Sequence, residues 1–88
     1  MLFDTGQLYA TPAALNHLTL NGSDPLALIS RHHVGDWGDV CSSDRKLNDE
    51  AVPDGSRILS AYVIADIKLY VITEWDRSYT TILLASEY

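Results

Sequence analysis

One cysteine, Cys41, stands in a chain of 88 residues. No intramolecular disulfide can form, which excludes a disulfide-stapled secreted scaffold and makes a reducing cytoplasm the expected setting. Basic charge is also scarce. Six Lys and Arg face twelve Asp and Glu, giving a net charge of −6 and a pI near 4.6. Such a surface repels phosphate backbones, so no direct nucleic-acid partner is expected. No apolar run approaches the ~20 residues that span a bilayer. The longest, from Ala61 to Ile72, is interrupted by Asp66 and Lys68, so no membrane partner is expected. Met1-Leu2-Phe3-Asp4 offers neither a basic n-region nor a long apolar h-region, and does not read as a signal peptide. Internal repeats, low-complexity tracts and linkers are missing as well.

What is present suits one small globular domain covering residues 1–88. Hydrophobic residues make up 47% of the chain, too many for a disordered segment. A domain of this size buries roughly 60–65% of the surface its unfolded chain exposes. That is enough for one core and too little for a nucleotide-binding half and a substrate half together.

The first half carries helix punctuation. Residues 1–10 read as an irregular or short extended arm. Thr11-Pro12 starts a helix, because Thr accepts a bond from a free N–H and Pro fits the first helical position. It runs to about Leu18, with Ala14, Leu15 and Leu18 inward, and Asn21-Gly22 ends it. Asp24-Pro25 repeats the signal for a second helix to about His33, with Leu26, Ile29 and His33 inward. His33 is expected at the helix edge and His32 in solvent. Gly35-Asp36-Trp37-Gly38-Asp39 reads as a turn around a semi-buried indole. Ser42-Ser43 caps a third helix from Asp44 to about Val52, with Leu47, Ala51 and Val52 inward. Pro53-Asp54-Gly55 stops it.

The second half is rich in β-branched and aromatic residues. Arg57–Ile64, Lys68–Thr73 and Tyr79–Leu84 read as three strands, and their short connections make an antiparallel meander. The expected fold class is therefore α+β, with two to three short N-terminal helices packed on a C-terminal three-stranded antiparallel sheet. Alternation places Leu59, Ala61, Val63, Leu69, Val71, Ile82 and Leu84 toward the helices. Ile58, Tyr62, Tyr70, Ile72, Tyr79 and Thr81 form the other face.

Three constellations carry chemistry. His32, His33, Asp36 and Cys41 have the residue types of a metal or nucleophile site. Adjacent histidines diverge on a helix, however, and the paired ligand spacing of zinc sites is missing. No nucleophile elbow surrounds Cys41, and its segment is acidic. Neither a metal nor a cofactor is expected, and an enzyme subunit using Cys41 is the least favoured reading. Asp36, Asp39, Asp44, Asp49, Glu50 and Asp54 form an acidic stretch opposed only by Arg45 and Lys46. It lacks calcium-loop spacing and reads as a solvated or docking surface. Trp75 and Arg77 at a hairpin tip, with Tyr62, Tyr70 and Tyr79 on the sheet and Trp37 beside the acids, have the composition of a protein-binding surface.

A resemblance adds context. Arg31-His32, Gly35-Asp36-Trp37-Gly38-Asp39, Asp44-Arg45-Lys46, Asn48-Asp49 and Gly55-Ser56-Arg57-Ile58-Leu59-Ser60-Ala61-Tyr62 carry it. Ile72-Thr73-Glu74, Asp76-Arg77-Ser78, Thr80-Thr81-Ile82-Leu83-Leu84 and Glu87-Tyr88 extend it. Over residues 10–88 the chain resembles a family of short bacterial proteins of plasmids, integrative elements and phages. Some members bear the label type I restriction–modification M subunit or plasmid-related protein. Ala85-Ser86 stands where a Pro-Glu pair is more typical. A methyltransferase core with its glycine-rich loop does not fit in this length. The resemblance implies a mobile-element setting and assigns no site residue.

The expected function is thus a non-enzymatic accessory protein that binds a host or element-encoded protein. One version is an anti-restriction or anti-CRISPR type inhibitor offering acidic charge to a basic DNA-binding surface. The alternative is a structural homo-oligomer associating through the tyrosine-rich sheet face.

Overall fold

The computed structural model describes residues 2–88; Met1, the first residue of the expected N-terminal arm, lies outside the described residues. Four strands and three helices follow in the order β1 (Gln7–Ala10), α1 (Pro12–Leu20), α2 (Pro25–His33), α3 (Ser42–Asp54), β2 (Ile58–Ile64), β3 (Ile67–Thr73) and β4 (Tyr79–Leu84). A 3-10 turn at Ala85–Glu87 closes the chain. The class is α+β, as expected. The sheet, however, has four strands in the order β1-β4-β3-β2. β2, β3 and β4 form the antiparallel meander, and β1 adds to β4 in parallel.

The extra strand comes from the N-terminal arm. β4 would otherwise be an edge with unpaired backbone groups. The Gln7 N–H donates to the Ser78 carbonyl at 3.0 Å and the Thr11 N–H to the Ile82 carbonyl at 2.9 Å, bracketing the ladder. Gly6 admits the arm: its φ is +64°, and a Cβ there would collide with the Ser78 carbonyl. Four residues give too short an alternation to announce a strand, and a parallel pairing depends on a partner some seventy positions away.

The helix caps follow the sequence signals. The Thr11 hydroxyl oxygen accepts from the Ala14 N–H at 3.1 Å, and Asp24 accepts from the Leu26 N–H at 2.9 Å. Both prolines hold the first helical turn. α3 begins two residues earlier than expected, after Cys41, and ends at Gly55 with φ 81°. Pro53 sits in its last turn rather than beyond it.

Each helix keeps part of its expected inward stripe but is rotated enough to turn out one leucine expected inside. Ala14 and Leu18 are fully buried in α1, but Leu15 is exposed. In α2 the inward residues are Leu28, Ile29 and His32, while Leu26 is exposed. In α3 they are Asn48 and Ala51, while Leu47 is exposed. The third rotation has a visible cause. The Asn48 amide donates to the Leu59 carbonyl at 2.7 Å and accepts from the Leu59 N–H at 3.1 Å. This pair of bonds continues the β2 edge in the manner of a strand, and it turns Leu47 outward.

The sheet faces also need one correction. Register aligns Tyr62 with Leu69 and Leu69 with Leu84, and Ser60 with Val71 and Val71 with Ile82. β2 is therefore offset by one residue from the expected faces. Ile58, Ser60 and Tyr62 turn toward the helices, while Leu59, Ala61 and Val63 turn away. Because the side-chain period is two, that single step moves the whole strand to its other face. The main core packs Ala14, Leu18, Leu28 and Ile29 against Tyr62, Leu69, Val71 and Ile82. A second cluster joins Phe3, Trp37, Ala51 and Ile58.

Candidate functional site

The interior contains a polar chain that the sequence concealed. His32 is fully buried. Its Nδ1 lies 2.5 Å from the Ser60 hydroxyl and its Nε2 2.8 Å from the Thr73 hydroxyl. Thr73 meets Thr80 at 2.7 Å, and the Thr80 hydroxyl donates to the Thr5 carbonyl at 2.7 Å. A carbonyl only accepts, so the direction of every proton follows. Thr80 spends its hydrogen on Thr5 and accepts from Thr73. Thr73 then accepts from Nε2–H of His32. Nδ1 is left as an acceptor for the Ser60 hydroxyl. A neutral imidazole satisfies all four links, and burial lowers its pKa to about 3, with His33 and Arg77 adding to the shift. The residue types resemble a catalytic Ser–His relay, but His32, Ser60, Thr73 and Thr80 are all fully buried. His32 is thus buried where solvent was expected, while His33 keeps its expected place at the helix edge. His33 is the half-buried one, bonded through Nε2 to the Phe3 carbonyl at 2.5 Å.

Cys41 is exposed, and its Sγ lies 3.3 Å from the Ser43 hydroxyl. The nitrogens of His32 and the Nε2 of His33 are engaged elsewhere, so no Cys–His pair forms among the described residues. No group of three or more metal-ligating side chains comes together there either.

The acidic stretch is largely built into the fold. Asp36 pairs with Arg31 at 2.7 Å, and that bond holds its carboxyl below the usual range. The other Asp36 carboxylate oxygen accepts from the Gly38 N–H at 3.2 Å, and its backbone carbonyl accepts from the Tyr62 hydroxyl at 2.6 Å. Asp49 accepts from the Trp37 indole N–H at 2.9 Å. Asp54 accepts from the Ser56 N–H at 2.8 Å. Asp39 lies 3.6 Å from the Lys68 ammonium. Asp44 and Glu50 are exposed and have no ion-pair partner among the described residues. A shallow cleft of about 510 Å3 runs along Arg31, Asp36, Asp39 and Tyr62. Arg31 lies over the Tyr62 ring at 4.4 Å and is already matched by Asp36, so the cleft carries offset charges.

Three expected surface residues are structural. Trp37 is 1% exposed and Tyr62 1% exposed. The Trp37–Asp39 segment pairs with Ala61 as a short extra strand, through Ala61 N–H to the Trp37 carbonyl at 3.0 Å and Asp39 N–H to the Ala61 carbonyl at 2.6 Å. Gly38 makes that approach feasible with φ +74°, since any Cβ would strike the Ala61 carbonyl. Burial of Tyr62 pushes its phenol up to about 12. Arg77 is a clamp and forms no carboxylate pair. It donates to the carbonyls of Ser56 at 2.6 Å, Ala51 at 2.8 Å and Glu74 at 3.1 Å.

The remaining tyrosines gather on the sheet face that no helix covers. Tyr70 and Tyr79 lie there, as expected. Tyr9 and Tyr88, not foreseen, join them. Tyr9 and Tyr79 meet edge to face at 5.9 Å, and Tyr70 and Tyr88 at 5.6 Å. The Arg57 guanidinium lies 5.6 Å from the Tyr88 ring centroid and bonds its hydroxyl. Tyr9 is 57% exposed, Tyr79 41% and Tyr88 62%; Trp75, at the β3–β4 turn, is 68% exposed. The chain matches no protein-family model, no curated protein and no solved structure. What the site can do thus rests on its geometry. Tyr9 belonged to a strand too short to read. Tyr88 is turned onto the sheet by the closing 3-10 turn, which has no periodicity of its own.

Proposed function

We propose that the chain is a non-enzymatic accessory protein that acts by binding another protein through the uncovered face of its sheet. The observation that carries this reading is the pair of edge-to-face tyrosine contacts on that face, Tyr9 with Tyr79 and Tyr70 with Tyr88. Tyrosine supplies broad apolar contact with a polar tip at little rotamer cost, which is why it dominates protein interfaces. Lys68 is the only charged residue among the outward-facing positions of the four strands. A largely uncharged centre with charged surroundings is the ordinary anatomy of a binding patch.

The resemblance to plasmid and phage proteins supports a bacterial cytoplasmic setting and a host or element-encoded partner. An anti-restriction or anti-CRISPR role fits that setting. In that version Asp44 and Glu50 on α3 add a charged flank for a basic DNA-binding partner. The tyrosine face carries the contact, because most other acids of the stretch already hold turns or side chains.

Capture from a bacterial lysate, with immobilised wild type beside Tyr79→Ser and an Asp44→Asn/Glu50→Gln double variant, tests the assignment. The expected result is a partner retained by wild type and the charge variant and lost by Tyr79→Ser. Loss with the charge variant alone, together with release at modest salt, would assign the acidic helix instead.

A further inference from the structure

The two edges of the sheet are finished differently. At the β2 edge, Asn48 occupies both backbone groups of Leu59, and the Trp37–Asp39 segment occupies both of Ala61. At the opposite end, β1 has β4 on one side and no strand on the other. Gln7 and Thr11 donate toward β4. Alternate residues of a parallel strand serve the same neighbour, so Leu8 and Ala10 present their N–H and C=O groups outward. Nothing protective stands on this strand. It holds no lysine, proline or bulge, the devices by which isolated sheets discourage further pairing.

Beside the open edge runs an apolar groove of about 260 Å3 between β1 and the two first helices, lined by Leu8, Tyr9, Leu15, Leu26 and Ile29 among others. Leu8, Leu15 and Leu26 are 44%, 46% and 58% exposed. These are the leucines that the rotation of α1 and α2 leaves outside the core. Charge is sparse here too. Residues 5–30 hold a single charged side chain, Asp24, in a chain of net charge −6.

We propose that this edge is where a second copy of the chain docks, β1 against β1 in antiparallel register, making one eight-stranded sheet. The scarcity of charge selects that occupant. Two bodies of charge −6 repel wherever their acids meet, and this face is where acids are fewest: Asp24, which caps α2, and Glu87, held on the Thr11 hydroxyl at 2.7 Å. The surface is also self-complementary, as a twofold contact requires. With Tyr9 on the axis, Leu8 lies opposite Ala10 of the second copy. Both outward backbone pairs then close, and Leu15 and Leu26 of each copy face the other's groove. The docking face stays open in this arrangement, and its two halves become continuous through Tyr9. The inference does not depend on that reading, since a partner could bind either a monomer or a dimer.

Sedimentation or light scattering on the full chain reads the mass directly. The expected value is twice the 9.8 kDa of one chain. Raising salt strengthens the association, because screening relieves the shared charge. Leu8→Pro removes an outward N–H without touching the bonds to β4. Leu26→Glu adds a like charge at the groove from a helix surface and leaves the ladder intact. Each weakens the dimer by more than about tenfold, with the far-ultraviolet spectrum retained for Leu26→Glu. A monomer at concentrations approaching millimolar, or a dimer indifferent to Leu26→Glu, overturns the proposal. If an added apolar strand peptide binds the monomer instead, the edge belongs to a foreign segment and the proposal also fails.

Discussion

His32 shows how one residue can carry more of the fold than its surroundings announce. A His-His pair on a short helix gives no sign of which ring points inward. The choice is made by Ser60 and Thr73, two small hydroxyls on strands that are read as ordinary β residues. Together they offer one donor and one acceptor at the spacing of an imidazole. Their identity was in the sequence, but their alignment depended on the register of β2 against β3. The linkage follows from the direction of the shift. The folded-state value near 3 lies below the ordinary 6.5, so the unfolded chain takes up the proton first as pH falls. The stability due to neutral His32 is complete above pH 6.5 and is lost progressively toward pH 3. Within that window each pH unit costs about 1.4 kcal/mol. Urea unfolding should show a level midpoint above neutrality and a steady decline below it. His32→Gln should lower the midpoint at neutral pH and remove most of the decline between about pH 6.5 and pH 5. A variant retaining the full wild-type slope would contradict the burial of this ring.

At the scale of elements, punctuation was more legible than orientation. Thr11-Pro12, Asp24-Pro25 and Gly55 mark helix limits because capping chemistry is local. The three meander strands stand within a residue of their expected ranges. The β2–β3 turn falls at Asp66, where Ala65 and Asp66 take φ of 50° and 64°, the signature of a tight hairpin. What could not be read was which stripe of each helix faces inward. Leu15 and Leu26 are as apolar as the buried Leu18 and Leu28, so composition alone does not rank them, and in α3 it ranks them wrongly, with Leu47 exposed and Asn48 buried. Asn48 decides α3 through bonds to Leu59, a contact between separate elements. Asn48→Ala should therefore cost about 2 kcal/mol, for two backbone groups stripped of a partner. Asn48→Asp should cost a similar amount, because it keeps the acceptor for the Leu59 N–H but sets a carboxylate against the Leu59 carbonyl. A denaturation midpoint unchanged in both would show that the β2 edge is held by other means.

The whole molecule is a sheet covered on one side, and the proposed binding role rests on what that leaves bare. Among the described residues no helix is long and apolar enough to cross a membrane. The aromatic composition was read as a contact surface; Tyr79 and Trp75 are exposed, and Tyr70 is half-buried on the uncovered face. Trp37, Tyr62 and Arg77 share the same residue types and lie in the framework instead. Hot-spot chemistry and core chemistry use the same large side chains, and only burial separates them. The acidic stretch was legible as charge, but the bond that Asp49 accepts from the Trp37 indole was not, because that partner comes from a different segment.

The docking reading is tested most directly by amide hydrogen exchange on the chain with and without its captured partner. Protection on binding should concentrate in β3, β4 and the closing residues 85–88, with α3 unchanged. Protection confined to residues 42–54, with the tyrosine-bearing strands exchanging as in the free protein, would contradict it.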